Sequence, residues 1–177
     1  MLLVSAVVSA QKIIKTEKVT DHSTHVVGDD FEGVVFDGGF NARYPTSEND
    51  TVKNNKWYTP SISEIELSEN VLRSQIKDID KTAKYPSGNY IFIHLNKYRR
   101  QYVGYTNKNG EKVIYMNCFP VDEKFADGKS KLANPELNIP RWYNDMIMTF
   151  DGGIAFWQVK INLTTGIIIA LYVDNPA

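Results

Sequence analysis

Residues 61–80, "SISEIELSENVLRSQIKDID", carry the clearest helical spacing in the chain, and after Asn89 the pattern changes to a period of two. Ile62, Ile65, Leu72, Ile76 and Ile79 recur at helical intervals with Val71 beside them. Ser61 and Glu64 form an S-x-x-E capping box, with Pro60 just ahead of it. The spacing predicts a helix over about 61–80. Its polar face, Glu66, Glu69, Arg73 and Lys77, is expected to be solvated and to hold a favourable Glu69–Arg73 pair. "YPSGN", residues 85–89, ends the helical region.

"YIFIHL" then sets Ile91, Ile93 and Leu95 on one side and Tyr90, Phe92 and His94 on the other, which reads as a central strand with two apolar faces. "YRRQYVGY" and "EKVIYMNCF" flank a loop at Thr106 to Gly110, in which Asn109-Gly110 supplies the positive φ angles a hairpin requires. An antiparallel meander of three strands follows from that reading. Farther on, "MIMTF", "IAFWQVKINL" and "IIIALYV" are strand-like, separated by Asp151-Gly152-Gly153 and Thr164-Thr165-Gly166. In the middle one, Ala155, Trp157, Val159, Ile161 and Leu163 should face the core. The expected class is α+β: one long helix packed on a curved antiparallel sheet of about five or six strands.

Residues 11–58 read as an N-terminal β/loop arm draped over a roll formed by residues 59–177, with Trp57 and Tyr58 as its anchors. Arm and roll together make one globular domain, since 167 residues are too few for two comfortable cores. The first ten residues, "MLLVSAVVSA", place Val8 and Ala10 at the −3 and −1 positions of a signal-peptide cleavage site. No Lys or Arg precedes Lys12, a departure from the usual charged start that suggests a native start further upstream. An exported protein is expected, periplasmic or extracellular. The apolar run falls short of the roughly 20 residues a transmembrane segment needs, and no later run is longer.

The single Cys118 cannot form an intramolecular disulfide and is expected as a buried, inert thiol. Twenty basic residues against twenty-one acidic ones leave no field that would gather nucleic acid. The loop at 120–145 is long enough to be functional, and Arg141-Trp142-Tyr143 should pin its end to the body.

Three histidines are available. His22 and His25, in "DHSTH", could hold a divalent ion with Asp21, Asp29 or Asp30, but a third and fourth ligand cannot be named, so neither metal nor cofactor is expected. His94 is a weak catalytic candidate, a general base if Asp122 or Asp145 orients it.

Two functions follow. In the first, the chain is a non-catalytic binding or interaction module for a protein, peptide or glycan, using Arg100, Tyr102, Tyr98, Trp142 and Trp157, because Tyr, Trp and Arg join large contact area to directional polar groups. The alternative is a small pocket enzyme, a hydrolase or isomerase, with its site around His94. Strand alternation divides the basic-aromatic cluster: Tyr98, Arg100 and Tyr102 share one face, and Arg99, Gln101, Val103 and Tyr105 the other. Which face the helix covers decides which group can meet a ligand.

From Thr59 to Val173 the order of elements resembles that of the cystatin-like and NTF2-like α+β rolls, without an inhibitory loop or a catalytic motif of either. "YRRQYVGYTNKNGEKVIYMNCF" followed by "DGGIAFWQVKINLTTGIIIALYVDNPA" is also similar to a group of short exported proteins of Gram-negative bacteria with no assigned function.

Overall fold

The computed structural model describes residues 10–40, 56–121, 133–134, 139–148 and 152–173. Residues 1–9 of the expected signal peptide, the polar run 41–55 and Asp122 lie outside the described residues. An eight-stranded sheet dominates. Its path runs β1 (Ile13–Thr20), β2 (Ser23–Gly28), β3 (Glu32–Phe36), β5 (Tyr98–Thr106), β6 (Lys112–Pro120), β9 (Trp157–Asn162) and β10 (Ile167–Val173). β4 (Lys56–Tyr58) pairs beside this path with the far end of β5. Every pair is antiparallel except β3 with β5, which is parallel. A separate two-stranded ribbon joins β7 (Ala133–Asn134) to β8 (Ile139–Pro140).

The α+β class therefore holds, but the sheet is larger than five or six strands. The residues read as a draped arm supply β1, β2 and β3, because Val26, Val34, Val35 and Phe36 are apolar enough to be buried within the sheet. Gly33 shows why this region resists a pattern reading. A Cβ at Gly33 would lie 2.6 Å from the Arg100 carbonyl oxygen and 2.6 Å from the Tyr102 ring, so the strand must carry a glycine where β3 meets β5.

α1 (Ile62–Asp80) starts at the expected capping box: Ser61 Oγ accepts from Glu64 N, and Glu64 Oε2 accepts from Ser61 N. Ile65, Leu72 and Ile76 are fully buried against Val35, Tyr102, Met116, Trp157, Val159 and Ile161. Each such side chain contributes roughly 1.5–3 kcal/mol. The alternation expected for β9 is present, with Trp157, Val159 and Ile161 on the helix side. Two expectations for the helix need correction. Ile62 is exposed, and Glu69 is fully buried rather than solvated, because Arg100 and Tyr102 of β5 stand beneath it.

The sheet curves until both of its edges reach the same helix. Asn70 Oδ1 accepts from Gln11 N at 2.8 Å and Glu66 Oε1 from Ile13 N at 2.8 Å, beside β1. On the opposite edge Gln75 donates to Gly166 O at 2.7 Å and accepts from Ile168 N at 2.9 Å, beside β10. Helix side chains thus occupy edge groups that would otherwise be open to another chain.

"YIFIHL" is not a strand. Tyr90–Ile93 form a short helix, α2, and Leu95–Lys97 a 3-10 turn. Ile91 and Leu95, its two buried residues, are four apart, a spacing that fits period two and a helical turn equally. The β5–β6 hairpin turns where expected, through residues 107–111 between Thr106 and Lys112. Only Gly110 in it has positive φ, and Asn107 Oδ1 organises the loop by accepting from Asn109 N and Glu111 N. Ile147 and Met148 of "MIMTF" are not in a strand, and β9 begins at Trp157 after a 3-10 turn at Gly153–Ala155.

Candidate ligand-binding cleft

β5 runs through the middle of the sheet, and its alternate residues face two different coverings. On the helix side Arg100 is fully buried, with Nε 2.8 Å from Glu69 Oε1 and Nη1 donating to the Tyr98 carbonyl. The Tyr102 hydroxyl donates to the same Glu69 oxygen at 2.9 Å. Burial opposes the Arg100 charge, but the Glu69 carboxylate outweighs it and holds the guanidinium pKa above its ordinary value. Burial and then Glu69 push the Tyr102 phenol well up, so it stays a neutral donor. Arg73 reaches Asp30 and lies 4.0 Å from Glu69 Oε2, so the expected i,i+4 pair links buried Glu69 to exposed Asp30.

On the other side Gln101 and its cross-strand partner Asn117 grip the chain at 141–147. Gln101 Nε2 donates to Trp142 O at 2.8 Å and to Asp145 O at 2.7 Å, and its Oε1 accepts from Ile147 N at 2.8 Å and Asn117 Nδ2 at 2.9 Å. Asn117 Nδ2 also donates to Ile147 O at 2.7 Å. The expected pinning by 141–143 is realised by Trp142, which is fully buried under the Arg99 guanidinium, 5.0 Å from its ring centre. Arg99 in turn donates to Glu32 at 2.9 Å, and His25 Nε2 lies 3.0 Å from the other Glu32 oxygen.

Both faces of β5 are therefore filled, and the recognition patch expected of Arg100, Tyr102, Tyr98, Trp142 and Trp157 is not an exposed surface. All five are buried: the first three and Trp157 under the helix, Trp142 on the opposite face. His94 is half-buried at the end of α2, its ring 4.3 Å from that of Tyr90. Among the described residues nothing hydrogen-bonds the His94 ring, and Asp145, one proposed partner, pairs with Arg141 instead. His22 and His25 turn to different carboxylates, Asp37 and Glu32, and among the described residues no group of three ligating side chains converges. Cys118 is buried as expected, and burial pushes its thiol pKa well up.

The open feature lies at the end of the sheet. A cleft of about 450 Å³ is formed by Tyr90 of α2, Asn96 and Lys97 of the following turn, Tyr98 at the start of β5, Pro120 and Val121 at the end of β6, and Ile154 and Ala155 ahead of β9. Tyr90, Val121 and Ile154 expose much of their apolar surface around it. Tyr98 forms the fixed wall: its hydroxyl donates to Ile154 O at 2.9 Å, and its ring meets Trp157 edge-on at 5.4 Å. Burial raises its phenol pKa, so it offers no charge. Among the described residues, the one charge lining the cleft is on Lys97. A wider recess of about 650 Å³ at the β1–β2 turn is a more polar setting, with exposed Lys18, Asp21 and His22 beside Val19 and Ile139.

Sequence reasoning found Tyr98 but gave it the wrong surroundings. Tyr90, Val121 and Ile154 were missed because they come from three separate segments that meet only after the sheet has formed. Comparison with protein-family models, with curated proteins and with solved structures finds no match for this chain.

Proposed function

We propose that the protein is an exported, non-catalytic binding module that seats an apolar, carboxylate-bearing peptide end in the strand-end cleft. The observation that carries this reading is the meeting of exposed Tyr90, Val121 and Ile154 around Tyr98, with Lys97 as the one charged side chain on the lining among the described residues. Concave, mainly apolar sites with a few placed polar groups are the usual form of a ligand pocket. An aliphatic or aromatic side chain would fill the floor, and a carboxylate would reach the Lys97 ammonium. Export is supported by the pattern of the first ten residues, and Gln11, the first residue of the mature chain on this reading, is already held by Asn70. The reading of His94 as a general base has no oriented partner behind it among the described residues.

Calorimetric titration with N-acetyl-Leu-Phe as its free acid and as its C-terminal amide tests the proposal. The acid should bind about two- to fivefold more tightly, the effect of one exposed ion pair, and Ile154→Asp should abolish binding of both. Equal affinity for acid and amide would remove the role of Lys97. Undiminished binding by a folded Ile154→Asp variant would remove the cleft.

A further inference from the structure

Tyr90 stands in the cleft only because the chain before it makes an unusual turn. Gly88 has φ 66° and Asn89 φ 72°, and Asn89 is the one non-glycine residue with positive φ among the described residues. A side chain in left-handed backbone is strained, and strain persists only where neighbours over-determine it. The restraint here comes from one carboxylate. Asp80, the last residue of α1, is almost fully buried. Its Oδ1 accepts from Ser87 N at 2.9 Å, and its Oδ2 accepts from Ser87 Oγ at 2.8 Å and Asn89 N at 3.1 Å. Ser87 Oγ then accepts from Ile91 N at 3.1 Å, and Ile91 anchors α2 in the core.

No cation among the described residues pairs with Asp80, and the helix dipole at the end of α1 is unfavourable to a carboxylate. The buried carboxyl group is thus held by the three donors of the turn. We infer that Asp80 is the positioning residue of the cleft: without touching the ligand, it fixes the Gly88-Asn89 turn that sets Tyr90 as the cleft wall against His94. The part of this inference that concerns affinity rests on the cleft being the binding site.

The test has two readouts. The first needs no ligand: nuclear Overhauser contacts between the Tyr90 and His94 rings, 4.3 Å apart between centres, should be lost in Asp80→Asn and kept in wild type. A folded Asp80→Asn protein that keeps those contacts overturns the inference whatever binds. The second is the affinity for N-acetyl-Leu-Phe, expected to fall about tenfold in Asp80→Asn and to recover when Asn89→Gly is added, because glycine takes the left-handed conformation without strain. Failure of Asn89→Gly to restore binding in a folded Asp80→Asn protein also counts against it. Should Asp80→Asn not fold, Asn89→Ala, which leaves the carboxylate in place, should lose the same ring contacts and weaken binding; wild-type behaviour of that variant overturns the inference. Loss of binding in Ile154→Asp with ring contacts intact separates failure of the cleft reading from failure of this one.

Discussion

The two faces of β5 solve the same problem with different chemistry. Arg100, facing the helix, is matched by a buried carboxylate that a phenol also bonds, whereas its neighbour Gln101, facing the 139–148 segment, is matched by another amide and by backbone groups. An ionic network in a dry interior is costly to assemble and more costly to break on one side, since the remaining charge is stranded. An amide clamp costs less, and its loss frees a segment rather than a core. The helix face should thus fail globally and the segment face locally.

The largest effect should come from Glu69→Ala, which leaves Arg100 buried without its carboxylate and should cost about 3–5 kcal/mol in urea denaturation. Joint replacement, Glu69→Leu with Arg100→Met, should recover most of that loss. A double variant as unstable as the single one would break the comparison. Next is Gln101→Leu, which strands the carbonyls of Trp142 and Asp145 and the amide of Ile147, at a cost of about 2–3 kcal/mol. Its signature is regional: hydrogen exchange should rise at 141–147 while α1 stays protected.

Acid should also separate the faces. The hydrogen bond from His25 is the largest influence on Glu32 and, with Arg99 and against partial burial, holds its carboxyl down to about 2 from an ordinary 4.5. Because the folded pKa is depressed, this stabilisation is complete above pH 4.5 and is lost as pH falls from there toward 2. After screening it amounts to about 1–2 kcal/mol. Glu32→Gln should flatten that part of the stability profile. The smallest effect is expected for Lys112→Ala, which removes a largely exposed pair with Glu64 and should change stability by about 0.5 kcal/mol or less.

Local signals were legible where they repeat. Ser61, Glu64 and the isoleucines marked α1 to within a residue, and alternation assigned Tyr98, Arg100 and Tyr102 to one face and Arg99, Gln101 and Val103 to the other. Partners distant in sequence were not legible. Glu69 looked solvated because its partner Arg100 lies on another element, and "YIFIHL" looked like a strand because the Asp80 bonds that turn the chain into α2 are invisible to periodicity. The aromatic and basic residues that suggested recognition are those a buried network and an aromatic core require.

Among the described residues, what β5 leaves to a ligand on this account is its end of the sheet, not either of its faces. Amide chemical-shift mapping of the protein titrated with N-acetyl-Leu-Phe is the most direct test. The account predicts saturable shifts centred on Tyr90, Asn96, Lys97, Tyr98, Val121, Ile154 and Ala155, with the amides of Arg100, Tyr102 and Trp142 unmoved. Shifts centred on Arg100, Tyr102 and Trp142, or none at the cleft at millimolar ligand, would contradict it.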